Sequence, residues 1–306
     1  MILCCGDALI DMLPRQTEAG EAAFAPYAGG AVLNTAVALG RLGTPAGFFQ
    51  GLSTDLFGEM LIAALHDSGV DTGYAARSDR PTTLAFVRLV DGQATYAFYD
   101  ENTASRMLDI AVLPDLDDSV SALFFGGISL VVEPCGSAFE ALAMREAPRR
   151  AVMLDPNIRP GFIRDEAAYR ARIGRMIALA DIVKLSDDDL HWLEGPGPVA
   201  DLAAVLLDRG PKLVCITEGA QGATGFSRAG TVSVPAQKVQ VVDTVGAGDT
   251  FNAGLLAGLD GAGTLTKEGL AALPLESLRA ALDLGVRAAA VTVARAGANP
   301  PRRDEL

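Results

Sequence analysis

Residues 241–259 read VVDTVGAGDTFNAGLLAGL, an apolar run that feeds a glycine-rich turn and then opens a helix. Gly246 and Gly248 let the backbone approach a ligand closely. The unpaired N–H groups of the helix's first turn then point at whatever sits there, which suits a phosphate. Asp249 is the odd member of this set, because a carboxylate beside a phosphate repels it unless the carboxylate has another task, such as taking a proton. An isolated Asp near a helix start more often caps the helix, favoured by its dipole. The glycines tilt the balance towards chemistry. They also suggest a dinucleotide loop, but Phe251 stands where that fingerprint wants a third glycine, and the motif falls late in the chain. The sequence has no GxxxxGK[ST] loop, which excludes a P-loop kinase at the motif level.

Three further segments carry polar groups at the ends of apolar runs. Gly6, Asp7 and Asp11 follow the first run, and Gly29-Gly30-Ala31 with Asn34 opens the next helical stretch. In an open α/β sheet the ligand crevice lies outside the carboxyl ends of the strands, where such residues converge. Asp and Asn hydrogen-bond vicinal hydroxyls, so a polyol is a sensible guest, although Asp7 and Asp11 serve equally well as turn and cap residues. After AVMLD comes Asp155-Pro156-Asn157-Ile158-Arg159. A guanidinium such as that of Arg159 suits charge developing on phosphate oxygens; otherwise Arg159 is a surface loop residue. After DIVKL, Ser186 and Asp187 to Asp189 start a helix, where carboxylates are favoured by the dipole and can also hold Mg²⁺ through water.

Composition narrows the chemistry. The 306 residues are half apolar, enough for one large α/β core or two smaller domains, and one core with a small appendage is the preferred reading. Lys and Arg total 25 against 38 Asp and Glu, a formal charge of −13, which argues against a nucleic-acid partner. Only His66 and His191 are present, which removes most hydrolase and zinc chemistry and leaves proton transfer to carboxylates. Cys4, Cys5, Cys135 and Cys215 form no CxxC pair and read as reduced structural thiols, three of them in buried strands. No charge-free apolar stretch reaches membrane-spanning length and the start resembles no secretory signal, so a cytoplasmic protein is expected.

The elements that must position these residues alternate in type. ILCCG, a helix from Val32 to Gly43, AGFFQG and a helix from Leu56 to Ser68 argue a parallel sheet. SALFFGG, AVMLD, DIVKL and KLVCIT continue it, with helices near Glu133 to Arg145 and Glu166 to Ala178. Helices dominate from Ala247 onward. Two segments break the pattern: Met12 to Tyr27, and Thr82 to Tyr99, a hairpin around Asp91-Gly92 that is an edge decoration or a lid over a site.

Taken together these segments resemble the ribokinase-like, phosphofructokinase-B type carbohydrate kinases over nearly the whole chain. DTVGAGDTF at Asp243 to Phe251 is the most specific of them. The resemblance implies an α/β three-layer sandwich over residues 1–306, with a mostly parallel central sheet flanked by helices and a small β lid inserted at about 12–27 and 82–100. It implies Asp249 as catalytic base, an anion hole at Gly246, Ala247 and Gly248, and Arg159 on the transferring phosphoryl group. Asp11, Gly29, Gly30, Asn34 and Phe98 would bind sugar. Lys184, Thr217, Gly219, Gly222, Gly248, Ala289 and Asn299 would bind ATP, Asp189 would hold Mg²⁺ through water, and Asp243 and Val245 would hold a monovalent cation such as K⁺. Ser186 and Asp189 stand where ribokinases have Asn and Glu, as in fructokinase-like members, and Glu218 replaces a smaller residue of the nucleotide loop. DPNIR and Phe98-Tyr99 look most like fructokinases and 2-keto-3-deoxygluconate kinases. A sugar acid would need added cations, for which Arg88 and Arg106 are the candidates, so fructose is the first expectation. 2-Keto-3-deoxygluconate, ribose and nucleosides are the rivals. A catalytically silent sugar or nucleotide sensor is the alternative of another class, and the lid gives an edge for pairing two subunits.

Overall fold

The computed structural model describes residues 1–306 apart from Asp91 and Gly92, with side chains described outside 88–96. The first strand, β1 (Ile2–Gly6), is buried at every residue, as befits a run with no charged side chain covered on both faces. It lies in an eight-stranded sheet with β4 (Ala46–Phe49), β9 (Ala122–Gly126), β10 (Ala151–Asp155), β11 (Ile182–Ser186), β12 (Leu213–Thr217), β13 (Ala223–Ser227) and β14 (Gly230–Val234), in the order β14-β13-β12-β11-β10-β9-β1-β4. The strands from β12 to β4 are parallel. β13 and β14 add an antiparallel hairpin at one edge, which the sequence reading did not foresee.

Side chains alternate across this sheet, so each strand feeds two cores. Ile2, Cys4, Phe48, Phe124, Met153 and Cys215 face α1 (Ala31–Arg41), α2 (Leu56–His66), α7 (Ala247–Gly261), α8 (Lys267–Ala271) and α9 (Leu275–Val293). Leu3, Cys5, Phe49, Phe125, Leu154 and Ile216 face α3 (Cys135–Glu146), α4 (Glu166–Leu179), α5 (Asp187–Glu194) and α6 (Val199–Asp208). The result is the expected three-layer sandwich. All four cysteines are free and buried, Cys135 at the start of α3 and the others in strands. His66 and His191 are exposed and bond Thr72 and the Gly197 carbonyl respectively.

A second sheet, in the order β3-β2-β7-β8, is built from β2 (Leu9–Gln16), β3 (Ala22–Gly29), β7 (Leu84–Val90) and β8 (Gln93–Tyr99). Both segments that broke the alternation thus join one sheet, in which β2 runs parallel to β7 with Ile10 opposite Leu84. The turn expected at Asp91-Gly92 lies outside the described residues, as does the Arg88 side chain. A short pair, β5 (Gly51–Ser53) and β6 (Ala76–Ser78), completes the strands among the described residues. Only Asp7 and Ala8 separate β1 from β2, which makes this two-residue joint the shortest of the several chain connections between the two sheets.

Candidate active site

Two helix N-termini meet at the carboxyl ends of the parallel strands. Gly246, in the left-handed region at φ 77°, caps α7, and a Cβ there would lie 2.7 Å from that of Ala298. No side chain caps this helix, so Asp249 does not serve as its cap. Instead Asp249, 8 % exposed, accepts a hydrogen bond from Asn34 Nδ2 at 2.9 Å, while the Thr35 hydroxyl donates to its main-chain carbonyl at 3.2 Å. Both donors come from α1, which fixes the two helix starts against each other. On the far side α7 closes on α9, since a Cβ at Gly254 would come within 2.6 Å of the Gly285 Cα. Asp243 braces the preceding turn, its two oxygens accepting from the Val245 and Gly297 N–H groups at 3.0 and 2.9 Å.

Beneath the turn sits Lys184, 4 % exposed, whose ammonium pairs with Asp155 Oδ2 at 3.1 Å. Asn252 Nδ2 donates to the same oxygen at 2.6 Å. The ammonium lies 3.2 Å from where a Cβ of residue 248 would be, so glycine there keeps the cation next to the anion turn. Burial alone would lower the Lys184 pKa, but the Asp155 carboxylate outweighs it and holds the ammonium above its ordinary range. Burial pushes Asp249 up to about 7, with the Asn34 hydrogen bond pulling against it and Asp155 and Asp7 reinforcing it. Burial also raises Asp7 to about 6, against the Ala31 N–H bond, and Asp11 to about 6 with help from the Asp7 charge. Asp189 moves upward through burial and then Asp155.

Among the groups expected to meet a sugar, Asn34 bonds Asp249 directly and Asp7 is close enough for its charge to raise the Asp249 pKa. Asp7 Oδ2 accepts the Ala31 N–H at 3.0 Å, whereas its buried Oδ1 has no partner among the described residues and lies over Gly127. Gly29 is required by Asp11, because a Cβ there would fall 2.2 Å from Asp11 Oδ2. Gly30, at φ 108°, turns the chain into α1. Phe98 of β8 meets Phe162 edge to face at 4.9 Å, so the second sheet touches the loop after β10. In that loop Arg159 is exposed and its Nη1 donates to the Ile158 carbonyl at 3.0 Å, while Asp189 Oδ1 accepts the Ile158 N–H at 3.1 Å. Arg106 is paired with Asp100 at 2.5 Å.

The residues expected to meet a nucleotide lie at the end of β12, in the loop that follows it, on α9 and in the segment after α9. Thr217 ends β12, its hydroxyl 3.4 Å from the Leu185 carbonyl, and the Glu218 N–H donates to the Gly222 carbonyl at 2.9 Å. Gly222, at φ 110°, has no room for a side chain, since a Cβ would meet the Val234 carbonyl at 2.1 Å. Gly219 is exposed. Ala289 is half-buried on α9, and exposed Asn299 is held by Arg41 Nη1 at 2.8 Å. Sequence reasoning missed Asn252 and the buried pairing of Asp155 with Lys184. The one signal was a lone Lys in the apolar strand DIVKL, which a buried partner must neutralise. An anion turn backed by a buried ammonium, beside a near-neutral carboxylate and a polar hollow, is chemically equipped to move a phosphoryl group onto an alcohol.

Fold and site together define a phosphotransferase of the sugar-kinase type. The chain belongs to the pfkB family of carbohydrate kinases, whose family model matches residues 1–305. It is 58 % identical over 279 residues to a fructokinase of Rhizobium leguminosarum bv. trifolii, a match covering 91 % of this chain and 86 % of that one. The fructokinase of Xylella fastidiosa with bound ATP superposes with a TM-score of 0.86 at 29 % identity, over 97 % of this chain and 93 % of that one. A double-mutant fructokinase of Vibrio cholerae O395 in its fructose-, ADP- and potassium-ion-bound form gives 0.84 at 25 % identity, with the same coverage of 97 % and 93 %.

Proposed function

We propose that the chain transfers the γ-phosphoryl group of ATP to a hydroxyl of a neutral sugar, fructose first, with Asp249 as general base. One observation carries this reading: a buried carboxylate that caps nothing, raised to a pKa of about 7, stands in the first turn of α7 beside a lysine-backed anion turn. The sugar oxygen attacks the γ-phosphorus, its proton passes to Asp249, and the bond to the β-phosphate oxygen breaks to release ADP. The N–H groups of Ala247 and Gly248 and the Lys184 ammonium receive the charge on the transferring oxygens, and Arg159 meets the same group. Asp11, Gly29, Gly30, Asn34 and Phe98 hold the sugar. Thr217, Gly219, Gly222, Ala289 and Asn299 line the nucleotide.

Asp189 keeps one oxygen on Ile158 and offers a carboxylate in the first turn of α5, a donor that fits Mg²⁺ held through water. When bound, Mg²⁺ supplies neutralisation of the nucleotide's phosphate charge. The backbone around Asp243 and Val245 is the place for K⁺. Fructose is favoured over a sugar acid because the Arg106 charge is already met by Asp100, and relatives named fructokinase support the same choice. Four buried free thiols suit the reducing cytoplasm. We also infer that a second copy packs on the second sheet, where Phe24, Phe86 and Tyr99 form an edge-to-face aromatic row with Phe24 44 % and Tyr99 62 % exposed.

ADP release measured with fructose, ribose and 2-keto-3-deoxygluconate tests the activity, and fructose is expected to give the highest kcat/KM. Binding of sugar and ATP without ADP release would leave a silent sensor instead.

A further inference from the structure

Between the two sheets, beside the joint at Asp7, lies a hollow lined by Asp7, Gln50, Asp100, Ser105, Arg106 and Phe162 among others. Its charged rim is one cation and two acids. Arg106 Nη1 meets Asp100 Oδ2 at 2.5 Å, with side-chain exposures of 23 % and 12 %, so the pair is largely withdrawn from water. Asp7, with its orphaned buried Oδ1, adds a second carboxyl group. From these residues we infer that Asp100 is a specificity-determining residue: it occupies the Arg106 guanidinium in a hollow that adjoins the proposed sugar site through Asp7 and through Phe162, the ring partner of Phe98, and so makes the enzyme reject sugars that bear a carboxylate. The inference rests on the sugar-kinase reading of this site and refines its substrate class.

The pair is not a loose surface contact. The main-chain carbonyl of Asp100 accepts the Thr103 hydroxyl at 3.0 Å, and Thr103 in turn accepts the Thr83 hydroxyl at 2.8 Å. Ser105 donates to the Ala8 and Gly51 carbonyls at 3.1 and 3.2 Å, which pins the 100–106 loop to the joint between the sheets. Asp100 is therefore held where it sits, and a guanidinium engaged by one carboxylate offers little to a second. A substrate carboxylate entering the hollow would also face Asp7, whose charge is coupled to that of Asp11, a like-charge penalty in a poorly hydrated space. A hydroxyl meets no such penalty.

Replacing Asp100 by Asn keeps the shape and removes the opposing charge. The test compares wild type, Asp100→Asn and the double variant Asp100→Asn/Arg106→Gln, assaying fructose and gluconate by ADP release. Gluconate binding is followed independently by calorimetry, and folding by circular dichroism. The Asn variant is expected to raise the gluconate-to-fructose ratio of kcat/KM, and gluconate affinity itself, by about tenfold or more, carried by KM rather than kcat. Removing Arg106 in the same background should return both to the wild-type level. A folded Asn variant whose gluconate affinity is unchanged overturns the inference, as does a gain that survives loss of Arg106. An absence of turnover in every protein would count against the kinase reading alone, because the calorimetric comparison still decides the role of Asp100.

Discussion

Asp249→Asn is the perturbation whose consequences the structure specifies most fully. Asparagine keeps the volume and can still accept from Asn34 Nδ2, so the packing of α1 on α7 survives. Two effects of opposite sign follow. Without a base, kcat should fall by about 10² to 10⁴, with sugar binding retained. Stability should move the other way. Burial, the foremost cause, carries the Asp249 pKa from its ordinary 3.8 to about 7. The folded chain therefore binds this proton more tightly than the unfolded chain. The stability this confers is whole below pH 3.8 and is lost as pH rises through about 7. At 1.36 kcal/mol per pH unit, the interval sets a ceiling of about 4 kcal/mol, which a neutral side chain would recover at pH 8. Allowing for partial relaxation, a gain of about 1 to 4 kcal/mol, or a Tm rise on the order of 2 to 8 °C, is expected at pH 8. None is expected at pH 3.5. Differential scanning calorimetry at both pH values, paired with ADP release, measures all of this. Near-normal turnover would refute the base; an Asn variant no more stable than wild type at pH 8 would refute the strained, buried carboxylate.

Other consequences follow from the same contacts. In wild type, kcat/KM for the sugar should fall on the acid side with an apparent pKa near 7, and Asn34→Ala, which removes a bond that lowers the Asp249 pKa, should move that limb to higher pH in the rate profile. Lys184→Met leaves Asp155 buried without its cation and should cost about 3 to 5 kcal/mol in denaturant unfolding, together with ATP affinity by calorimetry. Gly29→Ala drives a methyl into Asp11 and should raise the sugar KM by about tenfold or more with ATP binding unchanged, as initial rates would show. Phe24→Glu should yield a lighter species in sedimentation velocity if the aromatic row holds a second copy.

Much of this architecture is legible in the sequence because buried parallel strands must be apolar throughout. ILCCG, AVMLD and DIVKL announce themselves by composition, and their polar successors Asp7, Asp155 and Ser186 fall at the carboxyl ends for the same reason. The Gly246-Ala247-Gly248-Asp249 turn is legible because only glycine tolerates the left-handed backbone and the nearby ammonium. What stayed hidden is pairing across distance. Nothing local tells Asp155 that Lys184 and Asn252 lie 29 and 97 residues away, or Asp100 that it will neutralise Arg106. The parallel match of β2 with β7 was equally invisible, because alternation shows which face of a strand is buried and not which strand lies beside it.

The two-residue joint at Asp7 and Ala8 has a mechanical corollary. Asp7 follows directly on the large sheet and Asp11 belongs to the small one, so any tilt between the sheets would change the spacing of these two coupled carboxylates. On the proposed reading of the site, a polyol that hydrogen-bonded both of them would act as a strut across the joint. Occupancy and rigidity then become one variable, and by reciprocity whatever stiffens the hinge tightens the grip on the polyol by the same factor.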